Sequence, residues 1–431
     1  MKIPPVKGTR DFFPPQMAIH NWIVDGWKQA SVRNGFEEYD GPIFELLKMY
    51  QIKSGDEIVE QLFSLQDRGG RDLAIRPEIT PTLARMVNQQ INALPRPIKW
   101  FSVPRLCRAE RPQKGRLREF FQWNIDIIGV DSPEADAEII FTSLDYLRSA
   151  GLTPDDIRAK ISSRRLLMDV LLGIGIAADQ LDALYPLLDK KAKLPAEAFD
   201  ELLAEQVPDT GQAERISAFM DLTSLDEIEK VVPLNDDIEK AVTELERVFA
   251  TLELMGVADY CVFDPGIVRG LAYYTGVVFE IHDIVGQLRA ICGGGRYDNL
   301  LRDFGGPAIS ATGMGMGDCV LEILLQEKGL LDSQVPGRQL AYFIACADRQ
   351  FREAVYQIVA EIRSRARSAN FSYKQGGLSK QLKEAVSQGA GTCIIIGAEF
   401  GEKNELLVKD MASGEQTSVG VDAFLSGLNS M

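Results

Sequence analysis

A basic stretch that runs into an alternating strand pattern is the part of this chain best suited to chemistry. Between Arg96 and Arg118 there are eight lysine or arginine residues and one acid, Glu110. Over residues 116–127 the even positions carry two arginines, then phenylalanine, glutamine, asparagine and aspartate, whereas the odd positions are mainly apolar. Strand side chains alternate between the two faces of a sheet. We therefore expect one face to present cations and hydrogen-bonding groups and the other to pack on a core.

The middle of the stretch, RPQKGR, predicts a turn because it contains Pro112 and Gly115. Such a hairpin would bring a basic loop to a phosphate and an inner strand to a small polar ligand. The same pattern also fits a half-exposed antiparallel strand whose polar face is simply solvated. The pattern alone leaves both interpretations open.

Few histidines and scattered cysteines argue against several kinds of site. The chain has 431 residues, enough for about two to four domains, yet only two histidines, and its six cysteines form no Cys-x-x-Cys pair. These counts argue against a zinc cage, a disulfide framework or a Ser–His–Asp centre, and they fit a reducing compartment. The first residues lack the apolar core of a signal peptide and no apolar run would span a bilayer, so we expect a cytoplasmic protein without a membrane partner.

The net charge of −15 argues against a nucleic-acid partner when it is considered alone. Residues 178–250, however, hold 18 acids and 7 bases, so this one segment supplies most of the negative charge. Basic runs stand elsewhere, at 96–118 and at 363–383, and the second has six bases and no acid. Local patches rather than the total decide phosphate contact. Each run is a candidate phosphate-binding surface, with an ordinary solvated surface as the alternative.

The periodicity of the chain predicts a mixture of helices and strands with a separate C-terminal unit. Helices are expected at 14–34, 133–150, 162–175 and 319–328, throughout the acidic segment 178–256, and after Thr80-Pro81, which forms a favourable N-cap and first-turn pair. Strands are expected at 37–39, in a hairpin at 61–75, and at 257–281 and 288–298. Residues 340–431 alternate strand and helix, which predicts an α/β unit with a mixed sheet.

Four longer motifs follow one another along the chain. They are RPE (76–78), RLCRAERPQKGRLREFFQ (105–122), IVRGLAYYTGVVFE (267–280) and GGGRYD (293–298). In this order they resemble the motifs of the histidyl-tRNA synthetases, a family of class II aminoacyl-tRNA synthetases. The resemblance implies an α+β fold: a class II antiparallel-sheet catalytic domain with a helical insertion, then a C-terminal α/β anticodon-binding domain. The implied boundaries are 1–165 and 257–330 for the catalytic core, 166–256 for the insertion and 338–431 for the anticodon-binding domain.

The resemblance also implies the reaction and its participants. ATP, with Mg²⁺, and L-histidine would give histidyl-adenylate and pyrophosphate, and the histidyl group would then pass to tRNA(His). Attack of a carboxylate on the α-phosphate needs no protein nucleophile; it needs positioned substrates and dispersal of the phosphate charge. A homodimer is implied as well, with the helix that ends near Pro42 at the interface.

Residue roles follow from the match to the family's motifs, and no protein metal ligand is among them. Arg108 and Arg269 would be catalytic, clamping the α-phosphate from two sides. The ATP-binding set would be Arg108, Glu110, Arg116 and Arg269. The histidine-binding set would be Glu78, Thr80, Gln122, Asp126, Tyr273, Tyr274 and Tyr297. The tRNA-binding set would be Gln113, Lys114, Arg116, Arg363, Arg367 and Lys380.

Three positions depart from the family's pattern. Ala272 stands where many members have aspartate, and Asp126 where many have the longer glutamate. Val320 stands where class II enzymes commonly have an arginine that holds ATP, so either another residue supplies that charge or nucleotide binding is weakened. The nearby candidates for that charge are Arg289, Arg296 and Arg302.

A second hypothesis is a non-catalytic, histidine-sensing regulatory subunit of ATP phosphoribosyltransferase, which the Val320 departure would suit. The ligase is favoured because Arg108 and Arg269 are both present and the basic turn is intact. The C-terminal unit, which the regulatory subunits lack, is also complete.

Overall fold

The alternating strand lies in the middle of the larger of two units. The structure, a computed structural model, describes residues 3–52, 62–191, 194–268, 274–337, 340–374 and 376–428. The chain divides into two compact units, Met1–Gln334 and Val335–Met431, each of which is described by itself. None of the helices within the described ranges combines the length and apolar character needed to cross a membrane.

The first unit combines strands and helices along its whole length. Its described strands are β1 (Glu37–Glu38), β2 (Phe44–Leu46), β3 (Phe63–Gln66), β4 (Asp72–Ile75), β5 (Ile98–Ser102), β6 (Arg105–Cys107), β7 (Glu119–Ile128), β8 (Ile157–Ser163), β9 (Cys261–Phe263), β10 (Val277–Asp283), β11 (Cys292–Tyr297) and β12 (Ala311–Gly317). Its described helices are α1 (Pro14–Arg33), α2 (Leu47–Gln51), α3 (Thr80–Gln90), α4 (Pro133–Ser149), α5 (Arg164–Ile174), α6 (Leu181–Leu188), α7 (Ala196–Gln206), α8 (Thr210–Met220), α9 (Asp236–Leu254), α10 (Leu300–Asp303), α11 (Asp318–Glu327) and α12 (Leu330–Gln334).

A large sheet in the order β1-β5-β7-β12-β11-β10-β8-β9 forms the framework of this unit, and β6 pairs with β7 beside it. Every pairing from β5 to β8 is antiparallel, whereas β1 and β9 join the two edges in parallel. The six antiparallel strands confirm the expected sheet, and the strand that carries the polar face, β7, lies between β5 and β12.

Strand β7 is buried on both faces over its second half. Asn124 and Asp126 are 5% and 3% exposed, and Trp123 on the opposite face is fully buried. The half-exposed strand with a solvated polar face is therefore the wrong interpretation. Buried hydrogen-bonding groups need partners, so this face is built to meet polar atoms.

Helix α1 packs against the apolar face of β7, as the spacing of its apolar residues predicts. It begins at Pro14 and ends before Gly35, whose φ is +78°. Trp27 is fully buried against Trp123, with ring centroids 6.3 Å apart, and the indole N–H of Trp123 donates to the hydroxyl of Ser31 at 2.8 Å. The buried tryptophan thus belongs to the core of the unit.

A second, small sheet in the order β2-β4-β3 confirms the hairpin predicted at 61–75. Helix α3 follows it, but its N-cap is Ile79, with no capping hydrogen bond from a side chain, and Thr80 is already the first helical residue. The predicted Thr80 cap is wrong because the chain turns one residue earlier. Pro81 still lies in the first turn, where its missing N–H costs nothing.

Two other boundaries differ from the prediction. The helix expected at 162–175 begins only at Arg164, because Ser162 and Ser163 still pair with β10. The strand expected from 288 begins at Cys292. Helices α6 to α9 form the helix-rich acidic segment as expected.

The second unit is an α/β fold with a mixed sheet, as predicted. Its described elements are β13 (Leu340–Cys346), α13 (Arg352–Ser364), β14 (Ala369–Phe371), α14 (Leu378–Ser387), β15 (Ala390–Ile396), α15 (Ala398–Lys403), β16 (Glu405–Asp410), β17 (Gln416–Gly420) and α16 (Val421–Gly427). The strand order is β14-β13-β15-β16-β17, with parallel pairs on the β14 side and antiparallel pairs on the β17 side. Strand β17 and the helices α15 and α16 carry patterns too short to have been predicted.

Candidate functional site

Four glycines on two adjacent strands face the polar residues of β7. In the register of the sheet, Gly313 lies opposite both Asp126 and Gly295, and Gly315 lies opposite both Asn124 and Gly293. Residues directly opposite each other point to the same face. Gly293, Gly295, Gly313 and Gly315 therefore form a surface without side chains, here called the glycine floor, beside the polar face of β7.

Two side chains of β7 lie down onto the glycine floor. A Cβ atom added to Gly313 would overlap Oδ1 of Asp126, and one added to Gly315 would stand 2.8 Å from Nε2 of Gln122. The carboxylate and the amide thus occupy the volume that the missing side chains leave. The result is a site with a backbone floor and polar groups along one side.

Asp126 and Tyr297 form the innermost part of the predicted histidine-binding set. The Tyr297 hydroxyl donates to Oδ1 of Asp126 at 2.5 Å, and both residues are almost fully buried. Tyr274 packs against the same cluster. Aromatic rings with a buried carboxylate can accept a small planar cationic or polar ring.

Tyr39 joins this cluster, although no motif or spacing in the chain pointed to it. Its ring centroid is 5.6 Å from that of Trp100, and its hydroxyl is buried without a hydrogen-bond partner among the described residues. Burial raises the pKa of Tyr39 well above its ordinary value, and the carboxylates of Asp126 and Asp40 raise it further. The phenol is thus neutral and keeps a donor to offer a ligand.

The basic hairpin places Arg108 next to the site. The Arg108 backbone N–H donates to Arg118 O at 2.8 Å and its Nε to Pro77 O at 3.1 Å. Its guanidinium carbon lies 5.3 Å from the ring centroid of Phe120, which precedes Gln122 by one even position on the polar face. Arg108 is thus held by a neighbouring motif and an aromatic face.

The turn of the hairpin has the geometry that Pro112 and Gly115 predict. Gln113 and Arg116 exchange two backbone hydrogen bonds of 2.9 Å, and Gly115 has a φ of +73°. Nε of Arg116 forms an ion pair with Glu110, and Nε of Arg118 donates to the Glu110 carbonyl at 3.0 Å. Glu110 therefore organises the loop, and Arg116 is held inside it.

The RPE motif, which follows the small hairpin of β3 and β4, is held in place by its own arginine, Arg76. This buried guanidinium donates to Oδ1 of Asp40 at 2.7 Å, to Gly41 O at 2.8 Å and to Arg105 O at 3.1 Å. Three acceptors on two segments, Asp40–Gly41 and β6, fix the link between β4 and α3. The link carries Glu78, which is buried, and leads to Thr80, which is half-buried.

Two predicted site residues, Arg269 and Tyr273, lie outside the described residues, as does Ala272. The segment that follows them is firmly attached to the sheet. The Thr275 backbone N–H donates to Arg296 O at 2.8 Å, and its hydroxyl donates to Asp298 at 2.6 Å. The motif that contains Arg269 thus leads directly into a residue bound to the GGGRYD strand.

Arg296 does not supply the charge that Val320 lacks. Its guanidinium is buried and donates to the Asp136 carboxylate at 2.8 and 3.0 Å and to the carbonyls of Val130 and Ser132. It alternates with Gly295 and Tyr297 along β11, so it lies on the face opposite the glycine floor. Of the three candidates, this one is structural.

Val320 itself packs under the turn of the hairpin. It is 8% exposed, and a Cβ atom added to Gly115 would stand 3.0 Å from its Cγ2 atom. An apolar contact therefore occupies the position for which an arginine was considered. The basic turn rests on α11 through this contact and through an ion pair of 3.0 Å between Lys114 and Glu327.

The tRNA-binding candidates are spread over both units. Lys114 is well exposed in the first unit, and Lys380 is exposed in the second. Arg363 is exposed over much of its length, but its guanidinium donates twice to Ala369 O, at 3.1 and 2.8 Å. Arg367 is half-buried. Arg363 therefore contributes to the fold of the unit and less to an open cationic surface.

Metal ligands do not cluster in the described part of the chain: it contains no group of three or more His, Cys, Asp or Glu residues able to hold an ion. Mg²⁺ commonly keeps its waters and binds to substrate phosphates with one or two carboxylates.

Comparison with known proteins gives consistent matches over the whole length. A family model described as histidyl-tRNA synthetase matches residues 8–317, and one described as anticodon binding domain matches residues 341–431. The chain is 38% identical over 415 residues to the histidine–tRNA ligase of Opitutus terrae, covering 96% of this chain and 94% of that protein. It is 36% identical over 415 residues to the chloroplastic/mitochondrial histidine–tRNA ligase of Arabidopsis thaliana, covering 96% and 84%.

The fold comparison points the same way. The crystal structure of histidyl-tRNA synthetase from Nostoc sp. PCC 7120 superposes with a TM-score of 0.84, covering 100% of this chain and 99% of that one at 22% identity. An antiparallel sheet with this hairpin, followed by an anticodon-binding unit, is the architecture of an aminoacyl-tRNA synthetase. More narrowly, the chain belongs to the histidyl-tRNA synthetase family.

Proposed function

We propose that this chain activates L-histidine with ATP and transfers the histidyl group to tRNA(His). The observation that carries the proposal is that Arg108 stacks on Phe120 of β7, the strand whose polar side chains lie over the glycine floor. Such a floor lets two substrates lie flat against the sheet. The arginine and the polar side chains then stand where a phosphate and an amino acid would meet.

Adenylation needs positioned reactants and charge stabilisation more than it needs a protein base or nucleophile. The histidine carboxylate attacks the α-phosphorus of ATP, a P–O bond forms, and pyrophosphate leaves. Arg108 supplies a fixed guanidinium, whose planar fork suits phosphate and carboxylate oxygens. Arg269 is proposed as the second cation. Mg²⁺ on ATP neutralises charge on the phosphates that depart.

Recognition of histidine is proposed to rest on Asp126, Tyr297 and Gln122, with Glu78, Thr80, Tyr273 and Tyr274 completing the set. An imidazole ring presents one donor and one acceptor when it is neutral. The Asp126 carboxylate accepts from an N–H, and a buried site rejects a side chain that leaves such a group unpaired. The α-ammonium group of histidine is assigned to Glu78, the buried acid on the neighbouring link.

The basic turn is proposed to meet the nucleotide and the acceptor end of tRNA. Glu110 and Arg116 hold the loop on the nucleotide side, and Gln113 and Lys114 stand at its tip. The ion pair between Lys114 and Glu327 is exposed, so exchanging it for a phosphate costs little free energy. We assign Arg363, Arg367 and Lys380 to the tRNA contact of the second unit. We propose that residues 1–165 and 257–330 form the catalytic core, residues 166–256 the helical insertion and residues 338–431 the anticodon-binding domain.

We infer a homodimer from the reversed polarity of strand β2. Phe44 and Leu46 are exposed, whereas Glu45 between them turns inward and accepts from Arg85 at 2.6 Å. Because the acidic residue of this strand points inward and its apolar residues point outward, we expect another protein surface to pack against the apolar residues. The neighbouring exposed apolar residues Ile43 and Leu65 extend this surface, and a second copy of the chain is the cover we propose. A cytoplasmic location suits an enzyme that serves translation.

Histidine-dependent exchange between ATP and pyrophosphate, followed by charging of tRNA(His), tests the proposal. Arg108→Ala is expected to lower the exchange rate at least about a hundredfold, the scale for losing a charged group that stabilises a transition state. Arg105→Ala is the matched control, since this exposed arginine lies three residues earlier in the chain, where it pairs with Glu119 and stacks on Phe121. Wild-type protein that binds histidine but exchanges no pyrophosphate would instead support the regulatory subunit.

A further inference from the structure

Three aromatic rings form a row along the edge of the second unit. The ring centroids of Tyr356 and Phe371 are 5.3 Å apart, and those of Phe371 and Tyr373 are 4.9 Å apart. Tyr356 lies on α13, Phe371 ends the edge strand β14, and Tyr373 lies just beyond it. Tyr356 is 44% exposed and Tyr373 is 74% exposed. We call these three residues the aromatic row.

The aromatic row is held in place before any ligand binds. Nε of Arg352 donates to the Tyr356 hydroxyl at 2.7 Å, and Nη2 donates to Tyr373 O at 3.4 Å. One guanidinium therefore ties the two exposed tyrosines together. A ring that is already oriented loses less conformational entropy when something stacks on it.

The loop that follows the row is anchored as well. The buried amide of Gln381 donates to Gly376 O and Cys346 O, each at 2.9 Å, and accepts from the Cys346 backbone N–H at 3.1 Å. The loop begins at Ser372, whose hydroxyl donates to Lys374 O at 3.2 Å. Tyr373 and Lys374 are thus presented by a fixed backbone rather than by a free loop.

The chain segment that contains Phe371 and Tyr373 has a charge opposite in sign to that of the whole chain. Residues 363–383 hold six bases and no acid in a chain of net charge −15. Lys374, Lys380 and Lys383 are exposed. Exposed rings with cations beside them are what unpaired nucleotides require, because each base has a face to stack and each phosphate needs a positive charge. A protein partner with an uncharged surface would offer no negative groups to pair with these lysines, whereas RNA would.

We propose that the aromatic row stacks an unpaired base of the tRNA anticodon loop, with Lys374 meeting an adjacent phosphate. This inference rests on the proposed function, because it assigns a contact to the tRNA that the first unit charges. Tyr373 is the principal platform because it is the most exposed ring of the row. Arg352 is a positioning residue that fixes both tyrosines.

Removing the platform tests the proposal in the full-length protein. Tyr373→Ala should raise the KM for tRNA in the charging reaction about 5- to 30-fold, the weakening expected when one base loses its aromatic partner. The kcat of charging should stay within about twofold, and histidine-dependent pyrophosphate exchange should be unchanged because it involves no RNA. Tyr373→Phe keeps the ring and should behave like the wild type. Val386→Ala on α14 is the matched control, an exposed apolar residue of the same unit outside the row.

A double-mutant cycle, which combines protein variants with RNA variants, identifies the base that stacks on Tyr373. An isolated anticodon stem–loop is prepared with an abasic site at each loop position in turn, and its affinity for the wild type and for Tyr373→Ala is measured. At one position the two proteins should bind equally, because the stacked base is already gone. If the ratio stays the same at every position, or if Tyr373→Ala does not weaken RNA binding, the stacking proposal is overturned. Loss of exchange in the wild type would overturn the proposed function alone, since stem–loop binding is measured separately.

Discussion

At the scale of single residues, the site depends on glycines, whose lack of a side chain leaves room for polar groups. Asp126 and Gln122 occupy volume that a side chain at Gly313 or Gly315 would fill. In the sequence, the glycines at 313 and 315 lie far along the chain from the polar residues at 122 and 126. Only the register between β7 and β12 brings them together, and no pattern in a single sequence encodes that register.

Gly313→Ala tests the role of the floor. The added methyl group would overlap Oδ1 of Asp126 and stand 2.8 Å from Ile125 O, so the carboxylate must move. We expect the KM for histidine in pyrophosphate exchange to rise about tenfold or more, which corresponds to about 1.4 kcal/mol. Gly420→Ala in the second unit is the control, because a Cβ atom there has no neighbour within 4 Å. An unchanged KM for Gly313→Ala would show that the carboxylate does not need its present position.

The Tyr39 hydroxyl should lower the stability of the folded protein while it strengthens the binding of histidine. A buried hydroxyl without a partner destabilises the folded state by about 1–3 kcal/mol, so Tyr39→Phe should leave the free energy of unfolding unchanged or raise it. If the hydroxyl donates to histidine, the same variant should raise the KM for histidine about 2- to 10-fold. Urea titration and pyrophosphate exchange measure the two effects. A variant that loses stability and keeps its KM would assign the hydroxyl to the fold.

At the scale of elements, local patterns predicted what an element is and not what surrounds it. The alternation of β7 identified its two faces, but burial of the polar face follows from β5 and β12 on either side. Arg296 was a candidate for nucleotide charge, yet its position on β11 turns it towards Asp136. The cap at Thr80 failed for a similar reason, since Arg76 fixes the chain just before α3.

The contact between α1 and β7 should make stability depend on pH. His20 on α1 is buried between Phe12 and Phe121, with ring centroids 5.2 and 4.1 Å away. Burial lowers its pKa below the ordinary 6.5; the guanidinium groups of Arg10 and Arg105 lower it further, and the carboxylates of Asp318 and Asp25 act against this shift.

The sign of the effect follows from where the proton binds. Below pH 6.5 the unfolded chain takes up a proton at His20 before the folded protein does, so acid favours unfolding. Stability should therefore fall from about pH 7.5 to about pH 5.5, a range above most carboxylate titration. His20→Phe should reduce this loss, as measured by urea unfolding followed by tryptophan fluorescence. An identical loss in the variant and the wild type would exclude His20 as its source.

At the scale of the whole molecule, the exposed face of β2 predicts the oligomeric state. Phe44→Glu combined with Leu46→Glu should convert a dimer into a monomer at micromolar concentration, because two charges would have to be buried at the interface. Leu254→Glu is the control, since this apolar residue is 90% exposed at the end of α9, away from the small sheet. Light scattering after size-exclusion chromatography gives the mass. A monomeric wild type, or a double variant that stays dimeric, would contradict the inferred interface.

The two-unit division could be predicted because residues 340–431 alternate strand and helix as a unit of their own. The charge distribution was visible too, and the helices α6 to α9 contain most of the acidic segment. What the chain could not reveal was the aromatic row. Its three rings come from a helix, a strand and a loop, and each ring alone would pass for an ordinary surface or core residue.

The bare floor also bears on how the protein could escape an inhibitor. A compound resting against Gly293, Gly295, Gly313 and Gly315 would touch main-chain atoms, which no codon change can remove, and the side chains of Asp126 and Gln122 that lie over two of these glycines. Every substitution there adds atoms, and those atoms would crowd the natural amino acid as much as the drug. Resistance would have to arise at the rim, for instance at the tip of the basic turn, where side chains can be exchanged without closing the cavity.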